Sequence, residues 1–360
     1  MLTKLIIRGE FCMEQLDNNY YFRADDIDIS KGIAILLVVA GHSIPDAAAG
    51  KIQSDVMRIV YNLIYSFHMP VFFFFAGFLS KRIIWNNIEF KKFITKKFFR
   101  LLVPYFFVGI IYLPFKLMLS SYANQPYEIK NIWQILIGIN PDGELWFLYT
   151  LFAVTVLVAI FTKNYINKKI LFISFLLALA TFFITFVGVS STILYYQFYF
   201  CLGINIRWHV KFDLFKAGSL SSIGFLGASL LVFSVTNAYL IWGHDVASWC
   251  KMITSLSGIY CTWYVASYIA YFNGNKVKKW LIVAGVYSMD IYIFGDMIKI
   301  PFRMLFWSKL HFYYLAFFSS LIFSVMLSYM FSKYIIRKNY LLKLLFLGIH
   351  NRGGKPPMLQ

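Results

Sequence analysis

Residues 28–42 read Asp-Ile-Ser-Lys-Gly-Ile-Ala-Ile-Leu-Leu-Val-Val-Ala-Gly-His, an apolar run that begins with a charged pair and ends with a histidine. The apolar segment continues to residue 46, and a helix of about 17–25 such residues crosses the hydrocarbon core of a bilayer. Comparable runs, separated by basic residues, follow along the rest of the chain. The sequence therefore predicts an all-α, polytopic membrane protein.

The composition of the 360-residue chain agrees with this prediction. Hydrophobic residues make up 60% and charged residues 14%, with a mean hydropathy of +0.66, and these values exclude an ordinary water-soluble domain. The formal net charge is +18, but the basic residues separate apolar runs and form no polar domain, which argues against a nucleic-acid partner. The four cysteines show no paired spacing, so neither a zinc site nor a disulfide framework is indicated.

Ten apolar runs are predicted to be transmembrane helices, at residues 30–46, 55–80, 101–122, 144–162, 170–189, 191–206, 219–242, 253–272, 281–300 and 313–335. With both termini in the cytoplasm, 26 of the 34 Lys and Arg residues lie on the cytoplasmic side, as the positive-inside rule expects. The domain prediction is a cytoplasmic N-terminal segment at 1–27, a transmembrane domain at 28–335 and a cytoplasmic tail at 336–360.

Three ionisable side chains inside these runs are candidates for function, because such groups are costly in a membrane. They are His42, His68 and Asp290, and helix rise places all three near the membrane midplane. Each alone is equally consistent with a buried group that a neighbouring helix satisfies. A neutral imidazole can act as a general base, and Asp290 can orient it if the two helices are neighbours. These three side chains thus predict a functional site near the membrane midplane.

The loop from Lys81 to Arg100 holds seven basic residues. One interpretation is a topogenic segment that binds anionic lipid. The other is a cationic mouth that collects the phosphates of a nucleotide-like donor. The sequence leaves both open.

Five motifs resemble the acyltransferase 3 family of integral membrane O-acyltransferases, which modify O-antigen, exopolysaccharide and fucose. They are the 28–42 stretch, Phe67-His68-Met69-Pro70 with the phenylalanine run to Phe78, Arg100-Leu-Leu-Val-Pro104-Tyr105, Leu145-Trp146-Phe147-Leu148, and Gly285-Val-Tyr-Ser288-Met-Asp290-Ile-Tyr292. In many relatives the last motif ends in His, where this chain has Gly295 and Asp296. The polysaccharide-modifying branch usually has Arg at Lys31, and that exchange loses bidentate geometry.

The resemblance implies transfer of an acyl group, most often acetyl, from cytoplasmic acyl-CoA to a hydroxyl of an envelope or extracellular glycan at the bacterial inner membrane. His42 is then the general base or a transient acyl carrier, with His68 positioning substrate or stabilising the oxyanion, and Asp290 as a third catalytic residue. No metal is expected. The donor-binding prediction comprises Lys31, Arg82 and Arg100, and the acceptor-binding prediction comprises Asp28, Glu144, Trp146, Tyr287 and Ser288.

Several of these residues have a purely structural alternative. Asp28 and Lys31 have the spacing of an ion pair on one helix face. Glu144 is also a charge that a helix N-terminus favours, Trp146 is also an interfacial anchor, and Ser288 can bond to its own backbone.

Two other functional classes remain open at this point. One is a non-catalytic carrier or flippase for a glycan or a lipid-linked sugar, and the other is a structural membrane partner. The expected partners of an acyltransferase or a carrier are the lipid bilayer and a glycan or lipid-linked sugar acceptor. Glycan-assembly proteins are a further candidate.

Overall fold

The computed structural model describes residues 24–47, 50–80, 87–118, 128–162, 166–209, 219–242, 249–271 and 276–350. Every regular element in these ranges is helical, so the all-α prediction is confirmed for the part of the chain that is described. Arg82, one of the predicted donor-binding residues, lies outside the described residues.

The α-helices are numbered here in chain order. They are α1 (Ala24–Ser43), α2 (Asp55–Tyr65), α3 (His68–Phe78), α4 (Asn87–Lys97), α5 (Val103–Met118), α6 (Trp146–Thr162), α7 (Lys168–Ala180), α8 (Ser190–His209), α9 (Leu220–Trp242), α10 (Cys250–Tyr271), α11 (Lys276–Val286), α12 (Ser288–Arg303), α13 (Tyr313–Tyr334) and α14 (Tyr340–Leu347). Short 3₁₀ segments at Ile129–Ile137, Gly143–Leu145 and Ile336–Lys338, and π-helical turns at Phe98–Leu102 and Met304–Lys309, connect some of them.

Helix α1 lies at the centre of the bundle. It packs against α3, α10, α11, α12 and α13. Its apolar side chains are accordingly buried, with Ile29, Ala34 and Ile35 no more than 1% exposed. The crossing with α11 is close because both helices have glycine there: a Cβ on Gly32 would meet the carbonyl of Leu281, and one on Gly285 would meet that of Asp28. This close packing positions α1, and with it His42 in its last turn.

Five described helices are long and apolar enough to cross a membrane: Asp55–Phe78, Ile88–Met118, Gly143–Thr162, Leu220–Ile241 and Tyr313–Lys338. The pair α11 and α12 adds a sixth if it is one broken span. The helix α1 carries Asp26, Asp28 and Lys31 near its start, and α7 has only 13 residues, so neither qualifies by length and composition. The chain is therefore a helical membrane protein, while ten spans stay a prediction.

The boundary between α11 and α12 changes the position of Asp290. The two helices are bent by 80° at Tyr287, and Asp290 lies in the first turn of α12. A straight helix was the basis for placing Asp290 at the depth of His42. Lys299, which reaches the His42 region, is nine residues further along α12, a rise of about 14 Å. The straight helix on which that common depth rests is therefore absent, and the common depth itself stays a prediction.

The residues after α13 fold back onto the bundle. Helix α14 packs against α5, and the Nη1 atom of Arg100 donates a 2.5 Å hydrogen bond to the carbonyl of Leu347. Gly348 ends α14 with φ of 63° and lies against the backbone of Phe99, where a Cβ would clash. The 348–350 segment is thereby fixed beside the π-helical turn that precedes α5.

Candidate active site

The centre of the candidate site is a histidine and a glutamate from distant parts of the chain. His42 lies in the last turn of α1, and Glu144 lies in the 3₁₀ turn Gly143–Leu145 that leads into α6. The Nδ1 atom of His42 is 3.0 Å from Oε1 of Glu144, and their side chains are 26% and 16% exposed. A carboxylate on Nδ1 fixes the tautomer in which Nδ1 carries hydrogen, so Nε2 is left with a lone pair.

The turn before α6 fixes the position of Glu144. The carboxylate of Asp142 accepts a hydrogen bond from the backbone N–H of Glu144 at 3.0 Å, and Asn140 accepts one from Asp142 at the same distance. Asn140 also donates to the carbonyl of Tyr105 at 2.9 Å. Burial, and next the charges of Asp296 and Glu144, raise the pKa of the Asp142 carboxyl well above its ordinary value. Asp142 thus binds its proton more tightly here than in water, while Oδ1 accepts the hydrogen bond from Glu144.

A buried lysine joins Glu144 to a second carboxylate. The ammonium of Lys299, on α12, contacts Oε1 of Glu144 and lies 2.7 Å from Oδ1 of Asp296, while its side chain is only 4% exposed. The hydroxyl of Tyr112 donates to the other oxygen of Asp296 at 3.0 Å. The cluster beside His42 thus contains one lysine and two acidic side chains.

Sequence reasoning missed Lys299 and Tyr112 and recorded Asp296 only as a departure from the histidine of many relatives. Lys299 stands two residues before Pro301, at the end of the predicted run 281–300, where a basic residue reads as a membrane boundary. The spacing of Asp296 and Lys299, three residues apart within an apolar segment, is the signal that would have identified an internal ion pair.

Tyr65 lies between the two predicted histidines. Its hydroxyl is 3.3 Å from both ring nitrogens of His42, which is long for a hydrogen bond, and its ring packs edge-on against the ring of His68 at 4.8 Å. The Nδ1 atom of the buried His68 is 2.7 Å from the carbonyl of Ile64 and must donate to it. The structure thus brings His42 and His68 into one region, with Tyr65 as the link.

Asp290 is not part of this region. Its described partners are Arg337 and Ser332, and the carboxylate that contacts His42 is that of Glu144. Glu144, and not Asp290, therefore stands where a carboxylate can orient the His42 ring. Tyr287, predicted to contact acceptor, lies under the guanidinium of Arg337, whose Cζ is 4.2 Å from the ring centre.

An apolar cavity of about 230 Å³ leads from the other end of α1 toward the His42 region. Its basic end is formed by Lys31, Lys97 and Arg100, and its inner end by Phe147 and Tyr292. Tyr292 donates its hydroxyl to the backbone carbonyl of Glu144, so the inner wall of the cavity touches the active-site turn. The predicted pair of Asp28 and Lys31 is confirmed, with 2.6 Å between Oδ1 and Nζ, and Ser288 lines the cavity.

A larger basic cleft of about 1210 Å³ adjoins the apolar cavity. The two share Leu79, Lys97 and Arg100 as lining residues. The cleft is otherwise lined by α4 and by residues 348–350, and its further cations are Lys91, Lys92 and Lys96. Cations therefore surround the wide entrance, and apolar side chains line the narrow continuation.

Within the described ranges, no group of three His, Cys, Asp or Glu side chains has an arrangement that could hold a metal ion. What the arrangement offers chemically is a histidine base oriented by a carboxylate. This base stands near the inner end of a cavity whose opposite end is cationic.

Comparisons with known proteins agree with this geometry. A family model described as an acyltransferase domain matches residues 25–332. The chain is 23% identical over 313 residues to the nodulation protein NolL of Mesorhizobium japonicum, a match that covers 78% of this chain and 81% of that protein. It is 24% identical over 245 residues to the nodulation protein NolL of Sinorhizobium fredii, which covers 64% of each chain. No solved structure matches. The chain therefore belongs to the acyltransferase 3 family that its motifs predict, and it is a membrane acyltransferase.

Proposed function

We propose that the protein transfers an acyl group, most simply acetyl, from cytoplasmic acyl-CoA to a hydroxyl of an envelope or extracellular glycan. The observation that carries the proposal is the 3.0 Å contact between His42 and Glu144. Tyr292, which lines the inner end of the apolar cavity, bonds to the backbone carbonyl of this glutamate. Family membership supports acyl transfer, and the cavity supports a donor with a charged head and a thin, largely apolar arm.

The two adjoining cavities fit the parts of an acyl-CoA. Phosphates pair with lysine and arginine side chains, which surround the basic cleft. The pantetheine arm and its thioester would extend past Lys97 and Arg100 into the apolar cavity. In that pose the thioester carbonyl approaches Tyr292, whose hydroxyl touches the turn that holds Glu144. The predicted Lys31 and Arg100 thus have a natural place in donor binding.

The proposed reaction is a single acyl transfer. The acceptor hydroxyl gives its proton to Nε2 of His42 while its oxygen attacks the thioester carbonyl carbon. The bond from that carbon to sulfur then breaks, and the CoA thiolate takes the proton back from the imidazolium. Glu144 stabilises the imidazolium in between, and Lys299 contacts Glu144 and holds it in position.

His68 has a more limited part in this mechanism than either role predicted for it. Its one N–H is used by the carbonyl of Ile64, so the neutral ring has no donor left for an oxyanion. Its contact with the Tyr65 ring supports a positioning role beside His42.

The topology that we propose has both termini in the cytoplasm and about ten spans in the bacterial inner membrane. The distribution of basic residues supports it, because the basic cleft then opens to the cytoplasm, where acyl-CoA is found. In that topology His42, near the end of α1, lies about 16 Å further into the membrane than Lys31. Donor and acceptor would thus reach the histidine from two sides of the membrane.

The test is the mass spectrum of ester-linked acyl groups on the envelope glycan from cells with the gene deleted, restored, or restored as His42→Ala. We expect one acyl mass to vanish on deletion and to return with the wild-type gene but not with His42→Ala. The control is His209→Ala, which removes an exposed histidine at the end of α8 and should restore the acyl group. Membrane levels of all variants are compared by immunoblot.

Unchanged acylation after deletion, with altered glycan export, would refute the glycan acceptor. Rescue by His42→Ala would refute the histidine mechanism. Purified protein with acetyl-CoA and succinyl-CoA then identifies the donor through the rate of free thiol release.

A further inference from the structure

A third cavity, the hydroxyl groove, opens beside the His42 region and differs from the two cationic cavities. It has a volume of about 460 Å³ and lies between the start of α6, the end of α2 and the start of α8. Its walls include Tyr65, Trp146, Tyr195 and Tyr196, and Lys251 is the charged residue among its lining residues. The groove is partly open, since Tyr65 is 37% exposed.

The chemistry of this lining is that of a carbohydrate site. Eight of its thirteen lining residues carry a side-chain hydroxyl, whereas only two of the seventeen that line the apolar cavity do. The hydroxyls of Ser66 and Thr181 each donate a hydrogen bond to a carbonyl of the preceding helix. Their oxygens can still accept hydrogen bonds from a ligand. Aromatic rings supply flat apolar faces for the C–H faces of a sugar ring. The Tyr196 ring stacks on Phe73 with centres 4.3 Å apart and packs against Trp146 at 5.5 Å, so Tyr196 supports the Trp146 ring that lines the groove. A lipid chain would gain nothing from so many hydroxyls.

Two residues connect the hydroxyl groove directly to the dyad of His42 and Glu144. Tyr65 lines the groove and places its hydroxyl 3.3 Å from the His42 ring nitrogens. Trp146 lines the groove and begins the helix that follows Glu144 by two positions. A molecule held in the groove therefore lies beside the dyad and against different residues from those that line the apolar cavity.

We infer that the hydroxyl groove is the acceptor subsite, in which a sugar ring of the glycan stacks on Trp146, supported by Tyr196, while Tyr195 and Lys251 hydrogen-bond to its oxygens. The inference rests on the proposed function, because it takes the glycan as the acceptor. It adds the location of the acceptor and the residues that select it. Tyr65 separates the bound sugar from His42 and moves aside for the reacting hydroxyl.

The experiment uses the full-length protein in nanodiscs and oligosaccharide fragments of the envelope glycan from the deletion strain as the probe. Binding of the fragments is measured directly, and transfer kinetics are measured with acetyl-CoA. We expect Trp146→Leu to weaken fragment binding and raise the acceptor KM by about tenfold, with acetyl-CoA affinity unchanged. The matched control is Trp280→Leu, which removes a tryptophan that is 67% exposed on α11.

Two conservative variants keep the test decisive if Trp146→Leu fails to fold. Tyr195→Phe and Lys251→Gln each remove one polar group from the lining and should each raise the acceptor KM without changing kcat for bound acceptor or the donor affinity. An unchanged acceptor KM in all folded variants would overturn the subsite while leaving acyl transfer intact. Fragment binding that depends on Trp146, in a protein that transfers no acyl group, would uphold the subsite and refute the proposed function.

Discussion

Arg337 binds Asp290 through two parallel hydrogen bonds, in which Nε and Nη2 each lie 2.8 Å from a different carboxylate oxygen. Ser332 donates a further hydrogen bond to the same carboxylate. Asp290 is completely buried and the Arg337 side chain is 15% exposed. Bidentate pairing of this kind fixes geometry as well as charge. The pair joins the start of α12 to the residues just after α13, so its role is to hold the bundle together.

The first prediction concerns the stability that depends on this pair. Asp290→Asn leaves Arg337 without its charge partner, and loss of one partner of a buried pair costs about 3–5 kcal/mol. We expect a matching loss in the free energy of unfolding of the detergent-solubilised protein. Asp290→Asn combined with Arg337→Gln should recover part of it, because no unpaired charge remains. Normal stability with lost activity would instead give Asp290 the catalytic role predicted from the sequence.

The second prediction separates Glu144 from Asp290. Glu144→Gln keeps the size of the side chain but removes the charge that stabilises the His42 imidazolium. We expect kcat to fall by about 10²–10⁴, with little change in donor affinity. Steady-state assays of acyl transfer measure kcat, and equilibrium binding of acetyl-CoA measures the donor affinity. A full-rate Glu144→Gln enzyme would show that the contact with His42 is only structural.

The third prediction tests the cationic entrance through the phosphates of the donor. Lys97→Gln should raise the KM for acetyl-CoA by about tenfold, the factor that corresponds to roughly 1.4 kcal/mol. The KM for acetyl-pantetheine, which has no nucleotide phosphates, should not change. Lys97 is preferable to Arg100 for this test because Arg100 also bonds the carbonyl of Leu347. Equal losses with both donors would contradict phosphate binding by Lys97.

The fourth prediction concerns the contact of α1 with Tyr65. A Cβ on Gly41 would lie 2.8 Å from Cε2 of Tyr65, so the ring must move away from His42. Overpacking of this kind costs about 1–3 kcal/mol, and we expect Gly41→Ala to lose that much stability. Replacing Tyr65 by Ala in the same protein should remove the cost. A non-additive double-mutant cycle measures this contact, and strict additivity would show that the two sites are independent.

The fifth prediction follows from the raised pKa of Asp142. The folded protein keeps this carboxyl protonated at pH values where the unfolded chain, with an ordinary pKa of about 3.9, has released the proton. Since the folded state then binds more protons, wild-type stability should fall as the pH rises above that value. Asp142→Asn carries no titrating group and keeps the acceptor for Glu144 N–H, so its stability relative to wild type should increase with pH.

The matched variant for this position is Asp142→Ala. It removes the acceptor that Glu144 N–H uses, and loss of such a cap costs about 0.5–2 kcal/mol. We expect it to be less stable than Asp142→Asn at every pH. Unfolding curves of the three proteins between pH 5 and pH 8 (about the range in which stability is usually greatest) provide the comparison.

Local sequence patterns predicted the helical class and most of the long helices, because apolar runs between basic residues are a strong pattern. His42 and Glu144 were each singled out from the sequence, yet their contact was not predicted. A contact between the end of α1 and the start of α6 depends on how helices pack around α1, and no spacing along the chain encodes that.

The sequence did not predict that Arg337 would be the partner of Asp290. The interpretation of this segment assumes an unbroken helix, whereas the helix axis turns by 80° at Tyr287. Gly285 and Ser288 flank the break, but glycine and serine are also common in unbroken membrane helices. Lys299 was overlooked because a lysine two residues before Pro301 resembles the end of a membrane span.

The return of the chain onto the bundle after α13 bears on where the folding unit ends. The family model stops at residue 332, but Arg337, the partner of Asp290, and Leu347, the acceptor for Arg100, both follow it. A protein shortened to the matched region would lack Arg337, so Asp290 would be a buried charge without this partner. It would also lack Leu347, whose carbonyl accepts the hydrogen bond from Arg100. The segment that the family model matches is thus shorter than the segment that the membrane bundle needs for its stability.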